Sequence, residues 1–342
     1  MTVSMPAATD QRASEYSQLM AEVRQARLLD RSAVRYLPRL AVLSVMVVVG
    51  VTAFVWLGQS WWQLVIAAYF AVVFAQLGFL GHDAGHQQIF CNRRWNDLLG
   101  VLVSDLGIGL SYGWWVDKHT LHHRHPNEVG RDPDVKRTVL AWNADQADEQ
   151  RGVLRFVARH QAAFFFPFLA FEALNLQVGS LRTLIAKPRG RGVEIALLVA
   201  HAVGCTALVL LVLPPVQAIA FVSVQQALLG LYLGSSFAPN HKGMPMPDEN
   251  DAGLGFLRRQ VLTSRNVRGG PGIATIFGGL NYQIEHHLFP SMPSRNLRRV
   301  QPMVKSFCAA HGVSYTETGL FDSYARALRY LRGVRPGVAA QA

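Results

Sequence analysis

Four of the chain's twelve histidines fall within ten residues, KHTLHHRHPN, Lys118 to Asn127. Three of them, His119, His122 and His123, form H-x-x-H-H, which on a helix offers positions i, i+3 and i+4 from one face. A second cluster, GHDAGH, sets His82 and His86 four apart, one helical turn along and about 40 degrees around the axis. A third, NYQIEHHLFP, gives Gln283, His286 and His287 the spacing of the first, with glutamine in the leading place. One i, i+4 pair arises by chance often enough to mean little; three clusters, one of them three deep, do not. A metal in a catalytic site takes about three protein ligands and keeps a position open, so seven clustered histidines exceed the needs of one ion. Two ions fit, with His241 in APNHKGM as an eighth candidate ligand. No cluster contains cysteine, which disfavours iron–sulfur and structural zinc, while imidazole alone suits iron, zinc, copper or nickel. Burying that many titratable rings together without a metal would be costly.

The elements that must position these rings are read from hydropathy. The chain of 342 residues is 50% hydrophobic and only 16% charged, against roughly 25% charged in a soluble domain. Four nearly uncharged runs reach spanning length: 40–57, 61–80, 192–213 and 216–237. Gly58 to Ser60 separate the first two and Pro214 with Pro215 the second two, so each pair reads as a tight hairpin. Arginines 12, 24, 27, 31, 35 and 39 precede the first span, and Arg182, Lys187, Arg189 and Arg191 precede the third, while the hairpin tips carry no charge. By the positive-inside tendency the tips face out, and both termini and the long segments face the cytoplasm. All three clusters then lie on that cytoplasmic side, just past span ends.

The same tendency accounts for the net charge of +11 better than a specific anionic partner does, and nothing reads as a nucleic-acid module. A cleavable signal peptide is not expected, because the first apolar run is too long and follows a polar tail. Cys91, Cys205 and Cys308, odd in number and unrelated in spacing, suit a reducing compartment. The stretches 98–110 and 162–176 are too short to span and read as interfacial or re-entrant pieces. FDSYARALRYLRGV has amphipathic helical spacing. The organisation is a tail over 1–39, one integrated domain over 40–333 and a tail over 334–342.

Other polar residues divide by position. His125 lies off the ligand face, His201 sits in mid-span where a hydrogen bond to a neighbouring helix is expected, and His160 and His311 read as surface. Asp83, Asp132 and Asp134 are candidate partners for ligand histidines, with ordinary solvation the default reading of the last two. Trp114 and Trp115 read as packing residues or as the lining of a tunnel.

HDAGH, HTLHH and QIEHH resemble the three histidine boxes of the membrane-bound fatty acid desaturases. The glutamine-led third box, with QVLTSRNV from Gln260 and HHLFPSMP from His286, is similar to the front-end and bacterial acyl-CoA branch, and the likeness covers roughly residues 15 to 330. The resemblance implies an all-α integral membrane protein, with four transmembrane helices in two hairpins and a cytoplasmic helical cap holding a di-metal site. It implies two irons held by His82, His86, His119, His122, His123, His286 and His287, and by His241 after the last span, with dioxygen as co-substrate. Gln283 would act through water or by orienting a ligand. The pattern departs at Phe237, where stearoyl-CoA enzymes carry an asparagine four positions before the ligand corresponding to His241.

Removing two hydrogens from unactivated methylenes is beyond a side-chain base and calls for a redox metal. The expected activity is therefore oxygen-dependent desaturation of an acyl-CoA, or secondly of a phospholipid-bound chain, giving a cis double bond. The rivals are a di-iron hydroxylase, a histidine-rich metal transporter or sensor, and a multispan zinc hydrolase. Neither a dinucleotide fingerprint nor an H-P-G-G haem motif is present, so electrons are expected from a separate ferredoxin or cytochrome b5-like donor with its flavin reductase. The basic cytoplasmic segments favour an acidic one. The expected location is the inner membrane of the cell, with the site cytoplasmic.

Overall fold

The structure, a computed structural model, describes residues 8–247 and 254–337, with side chains from residue 15 onward. The first seven residues of the expected N-terminal tail, the last five of the C-terminal tail and the side chain of Arg12 lie outside the described residues. The chain forms two compact units. One comprises Arg31–Lys118 and Phe166–Ser236, and the other the described parts of Met1–Asp30, His119–Phe165 and Phe237–Ala342.

The first unit is built on helices long and apolar enough to cross a membrane: α2 (Leu37–Leu57), α3 (Gln63–Gly85), α9 (Gly192–Val212) and most of α10 (Pro215–His241). At about 1.5 Å per residue, even the 21 residues of α9 reach the ~30 Å of a bilayer's hydrocarbon layer. No residue of α9 is buried. A helix this apolar with no residue fully buried needs an apolar solvent, which a membrane supplies.

These helices follow the apolar runs closely but overshoot at the ends. Pro38 stands in the first turn of α2, where its missing N–H costs nothing, so the helix starts three residues before the apolar run. Beyond Leu80 there is no breaker until Gln87, whose φ of 59° turns the chain away, so α3 runs on through His82. At the first hairpin tip Gly58 takes a φ of 58°, and Gln63 donates to the carbonyls of Phe54 (2.7 Å) and Gly58 (2.9 Å), satisfying the end of α2. Phe54, Ala67, Leu213, Ala218 and Phe221 pack the two tips together. Trp61 and Trp62 are exposed there, as an interfacial belt requires.

The apolar stretch 98–110 is not one helix. It ends α4 (Arg93–Val101) and continues as a π-helical segment (Leu102–Ile108) packed on α3 and α9. His201 of α9 donates from Nδ1 to the Leu106 carbonyl at 2.9 Å, the interhelical bond expected for it. The ring comes so close that a Cβ on Gly109 (φ 70°) would lie 2.6 Å from it. The stretch 162–176 is likewise divided, between the end of α7 (Gly152–Leu169) and the start of α8 (Glu172–Ala186).

The second unit holds α1 (Ala8–Gln25), the last turns of α5 (Tyr112–Arg124), the single turn of α6 (Ala144–Asp148), α11 (Phe256–Leu262), α12 (Pro271–Ile276), α13 (Gln283–Leu288), α14 (Ser294–Ala310) and α15 (Leu320–Gly333). Its core joins Leu19 and Val23 of α1, Leu257 and Val261 of α11, Ile284 and Leu288 of α13, and Leu297, Val300 and Val304 of α14. The last three recur at helical spacing, which makes α14 amphipathic. In α15 Ser323, Ala327 and Leu331 are buried every fourth residue, as its sequence spacing predicts. Strands β1 (Asn266–Val267) and β2 (Glu317–Thr318) pair in parallel, Asn266 opposite Glu317.

Candidate metal centre

The central cluster rides on α5, whose start is fixed by carboxylates. Tyr112 N donates to Asp105 (3.3 Å), and Gly113 N to Glu194 (3.0 Å), which also accepts from the Ser111 hydroxyl (2.6 Å). Negative groups at a helix N-terminus satisfy its unpaired N–H groups and oppose its dipole. From that anchored start the helix carries His119, His122 and His123 on its last two turns.

His122, His241 and His287 are buried together, with ring centroids 4.7 to 5.1 Å apart and one nitrogen from each within 4.8 Å of the others. Each ring has its Nδ1 committed elsewhere. That of His122 faces both oxygens of Asp132 (2.9 and 3.1 Å), that of His241 the Thr263 carbonyl (3.0 Å), and that of His287 the Gln260 Oε1 (2.8 Å). Carbonyl and carboxylate oxygens only accept, so each Nδ1 carries the proton and each Nε2 keeps its lone pair. The Gln260 amide orientation is cross-checked by its Nε2, which donates to the His123 carbonyl at 3.0 Å. Three buried imidazoles locked in one tautomer, with lone pairs converging, fit a transition-metal ion.

Asp132 corrects the default reading of solvation and takes the alternative role of histidine partner. It is 2% exposed, because the chain turns back after α5 through Asn127, whose φ of 60° is a left-handed conformation that asparagine tolerates. Asn127 N donates to Asp132 (2.8 Å), and its side-chain amide donates to the carbonyls of His241, Pro245 and Thr263. Burial works against the Asp132 carboxylate, but the His122 hydrogen bond helps to outweigh it and hold the group below its usual range. Asp134 stands 3.5 Å from the same nitrogen and is partly exposed, closer to the solvated reading.

The remaining histidines of this unit gather beside the first three. His123 Nε2 lies 3.1 Å from His119 Nε2, and the His123 ring is 4.7 Å from His286 and stacks 4.2 Å from His287. His286 is fully buried. Gln283 sits in the same pocket of side chains: Asn240 donates to its Oε1 (3.3 Å), and its Nε2 stands 3.0 Å from His241 Nε2. The amide thus turns its donor toward the lone pair of His241 Nε2, since the Nδ1 of that ring already faces Thr263. Phe237, where stearoyl-CoA enzymes carry an asparagine, is 38% exposed.

His82 and His86 belong to the other unit. Their rings face each other at 4.7 Å where α3 ends, both edge-on to Trp115 at 5.3 and 6.1 Å. Gly85 permits this approach, since a Cβ there would lie 2.6 Å from the Trp115 ring. Asp83 is ion-paired with Arg39 at 2.9 Å and lies 3.5 Å from His82 Nδ1. Outside the clusters, His125 pairs with Glu128 (2.9 Å), and His160 is exposed, as read from position; His311 is half-buried and stacks on Phe307.

Sequence reasoning missed the residues behind the clustered histidines. Gln260 is one. Arg265, 1% exposed, donates to the carbonyls of Pro239 and Lys242 where α10 ends at His241, and to the Ser323 hydroxyl. Burial, with a smaller contribution from Arg326, lowers it to about 10, so it stays cationic near neutrality. Glu285, beside His286, accepts from Asn266 (2.7 Å) and Tyr315 (2.7 Å), and burial pushes its carboxyl up to about 7 against those bonds. Polar residues breaking an apolar run, as in QVLTSRNV, were the available signal.

A scan against family models matches residues 59–319 to the fatty acid desaturase family. Among curated proteins, an acyl-lipid (9-3)-desaturase of Physcomitrium patens is 31% identical over 81% of this chain and 54% of its own length. The Delta(6)-fatty-acid desaturase fat-3 of Caenorhabditis elegans is 30% identical over 82% and 67%, and a Delta(8)-fatty-acid desaturase of Helianthus annuus 26% over 93% and 72%. The chain thus spans about half the length of the moss relative.

Proposed function

The chain belongs to the fatty acid desaturase family, and from that premise we propose that it introduces a cis double bond into a long acyl chain, using dioxygen and two histidine-held irons. The observation that carries the reading is the trio His122, His241 and His287, each with Nδ1 bonded to a protein oxygen and all three buried with one nitrogen from each within 4.8 Å of the others. These three would hold one ion. The other box histidines, His82, His86, His119, His123 and His286, are the ligands that the family resemblance offers for the second. When bound, the irons supply the redox chemistry that an unactivated methylene pair demands.

The protein's own part is placement. Asp132, Thr263 and Gln260 fix the ligand tautomers, and burial of the site excludes water from it. Acyl-CoA is the first choice of substrate; a phospholipid-bound chain is second and draws support from the name of the moss relative. Each olefin formed as dioxygen goes to water takes two electrons and two protons beyond the substrate's hydrogens. We assign those electrons to a separate ferredoxin or cytochrome b5-like donor with its flavin reductase. The four long apolar helices would cross the inner membrane of the cell as two hairpins, under a cytoplasmic cap that bears the site.

The test is expression in a host whose fatty acids are then profiled by mass spectrometry with double bonds located. A new cis olefin is expected. Hydroxy-acyl products would transfer the reading to a di-iron hydroxylase, and an unchanged profile with iron-loaded protein in the membrane would overturn both.

A further inference from the structure

We propose that the outer face of α14 is the docking surface for the electron donor, a small acidic redox protein; this rests on the desaturase reading above. The helix has two unlike sides. Leu297, Val300 and Val304 turn inward and pack with Ile284 and Leu288 of α13, the helix that carries His286 and His287. Arg295, Arg298, Arg299 and Lys305 turn outward and are exposed. Arg295 and Arg298 have no ion-pair partner among the described residues, and Arg299 reaches only its own helix, at Asn296 (3.4 Å). Exposed cations of one sign held on a rigid helix raise the encounter rate of an acidic partner at little desolvation cost.

Position favours a redox protein over a lipid surface. One helix thickness separates this face from the ligand helix, and a hydrogen-bonded series links the two. Lys305 (3.1 Å) and Gln301 (2.9 Å) bind Glu317, Gln301 reaches the Tyr315 hydroxyl (3.4 Å), and that hydroxyl donates to Glu285, next to His286. Binding to lipid would need the charge but not the route.

The experiment uses the full chain in detergent with an acidic [2Fe–2S] ferredoxin, its NADPH reductase and a saturated acyl-CoA. Arg295→Glu, Arg298→Glu and Arg299→Glu are combined in one variant, and the three glutamine substitutions in a second. The glutamate variant should raise KM for ferredoxin about tenfold or more and the glutamine variant less, with kcat at saturating donor nearly kept. The slope of KM against salt should flatten in both. Single-turnover olefin formation with dithionite, and iron content, should match the unmodified protein. An unchanged KM in both variants overturns the proposal, as does loss of binding to phosphatidylglycerol vesicles with KM for ferredoxin intact. If the unmodified protein forms no olefin with either reductant, the desaturase reading has failed and the docking proposal falls with it.

Discussion

Asp132 holds the Nδ1 of His122 between its two carboxylate oxygens, at 2.9 and 3.1 Å, in a site where the companion rings of His241 and His287 lean on neutral oxygens. A carboxylate makes its imidazole the more basic donor, so the three rings would not be equivalent as ligands of one ion. The Asp132→Asn variant keeps the shape and removes the charge. It should weaken iron retention about 10- to 100-fold, read by metal analysis after dialysis against a chelator. Asp134→Asn, at a partly exposed neighbour, should retain iron like the unmodified protein. Equal behaviour of the two variants would remove the special role of Asp132.

Gln260 ties two ligand segments with one side chain, accepting from His287 and donating to the His123 carbonyl. Gln260→Leu leaves both groups buried and unpaired, which should destabilise the fold by about 1–3 kcal/mol and lower iron occupancy. Gln260→Glu restores the acceptor alone and should recover occupancy ahead of thermal stability. Melting in detergent and iron content, measured on the same samples, distinguish the two effects.

Arg265 serves the last turn of α10, where His241 sits. Replacing it with methionine strands the Pro239 and Lys242 carbonyls, for an expected loss of about 1–3 kcal/mol, with occupancy falling alongside. Lysine fits poorly, since one ammonium cannot reproduce the planar fork that spans Pro239, Lys242 and Ser323. A lysine variant with the unmodified melting temperature would show that charge alone suffices.

Metal content tests the ligand set as a whole. Protein purified without oxygen should carry close to two irons per chain, as the eight histidines imply, and His122→Ala or His286→Ala should each abolish turnover. Fully active protein containing zinc alone would contradict this.

The histidine clusters were legible in the sequence because helical spacing is local: i, i+3 and i+4 share a face whatever the rest of the chain does, and H-x-x-H-H does form on α5. The long apolar helices were legible for a similar reason, since length and hydropathy alone decide whether a segment suits a bilayer. What supports the ligands was not local. Gln260 reaches residues 27 and 137 positions away, Asn127 meets His241 across 114, and Asp132 reads as an ordinary loop acid until the turn at Asn127 buries it against His122. A buried donor or acceptor must find a partner, but the sequence does not say which atoms will be buried together. Composition and periodicity therefore determined which imidazoles were available, and only tertiary structure decided that His122, His241 and His287 each bind a protein oxygen through Nδ1.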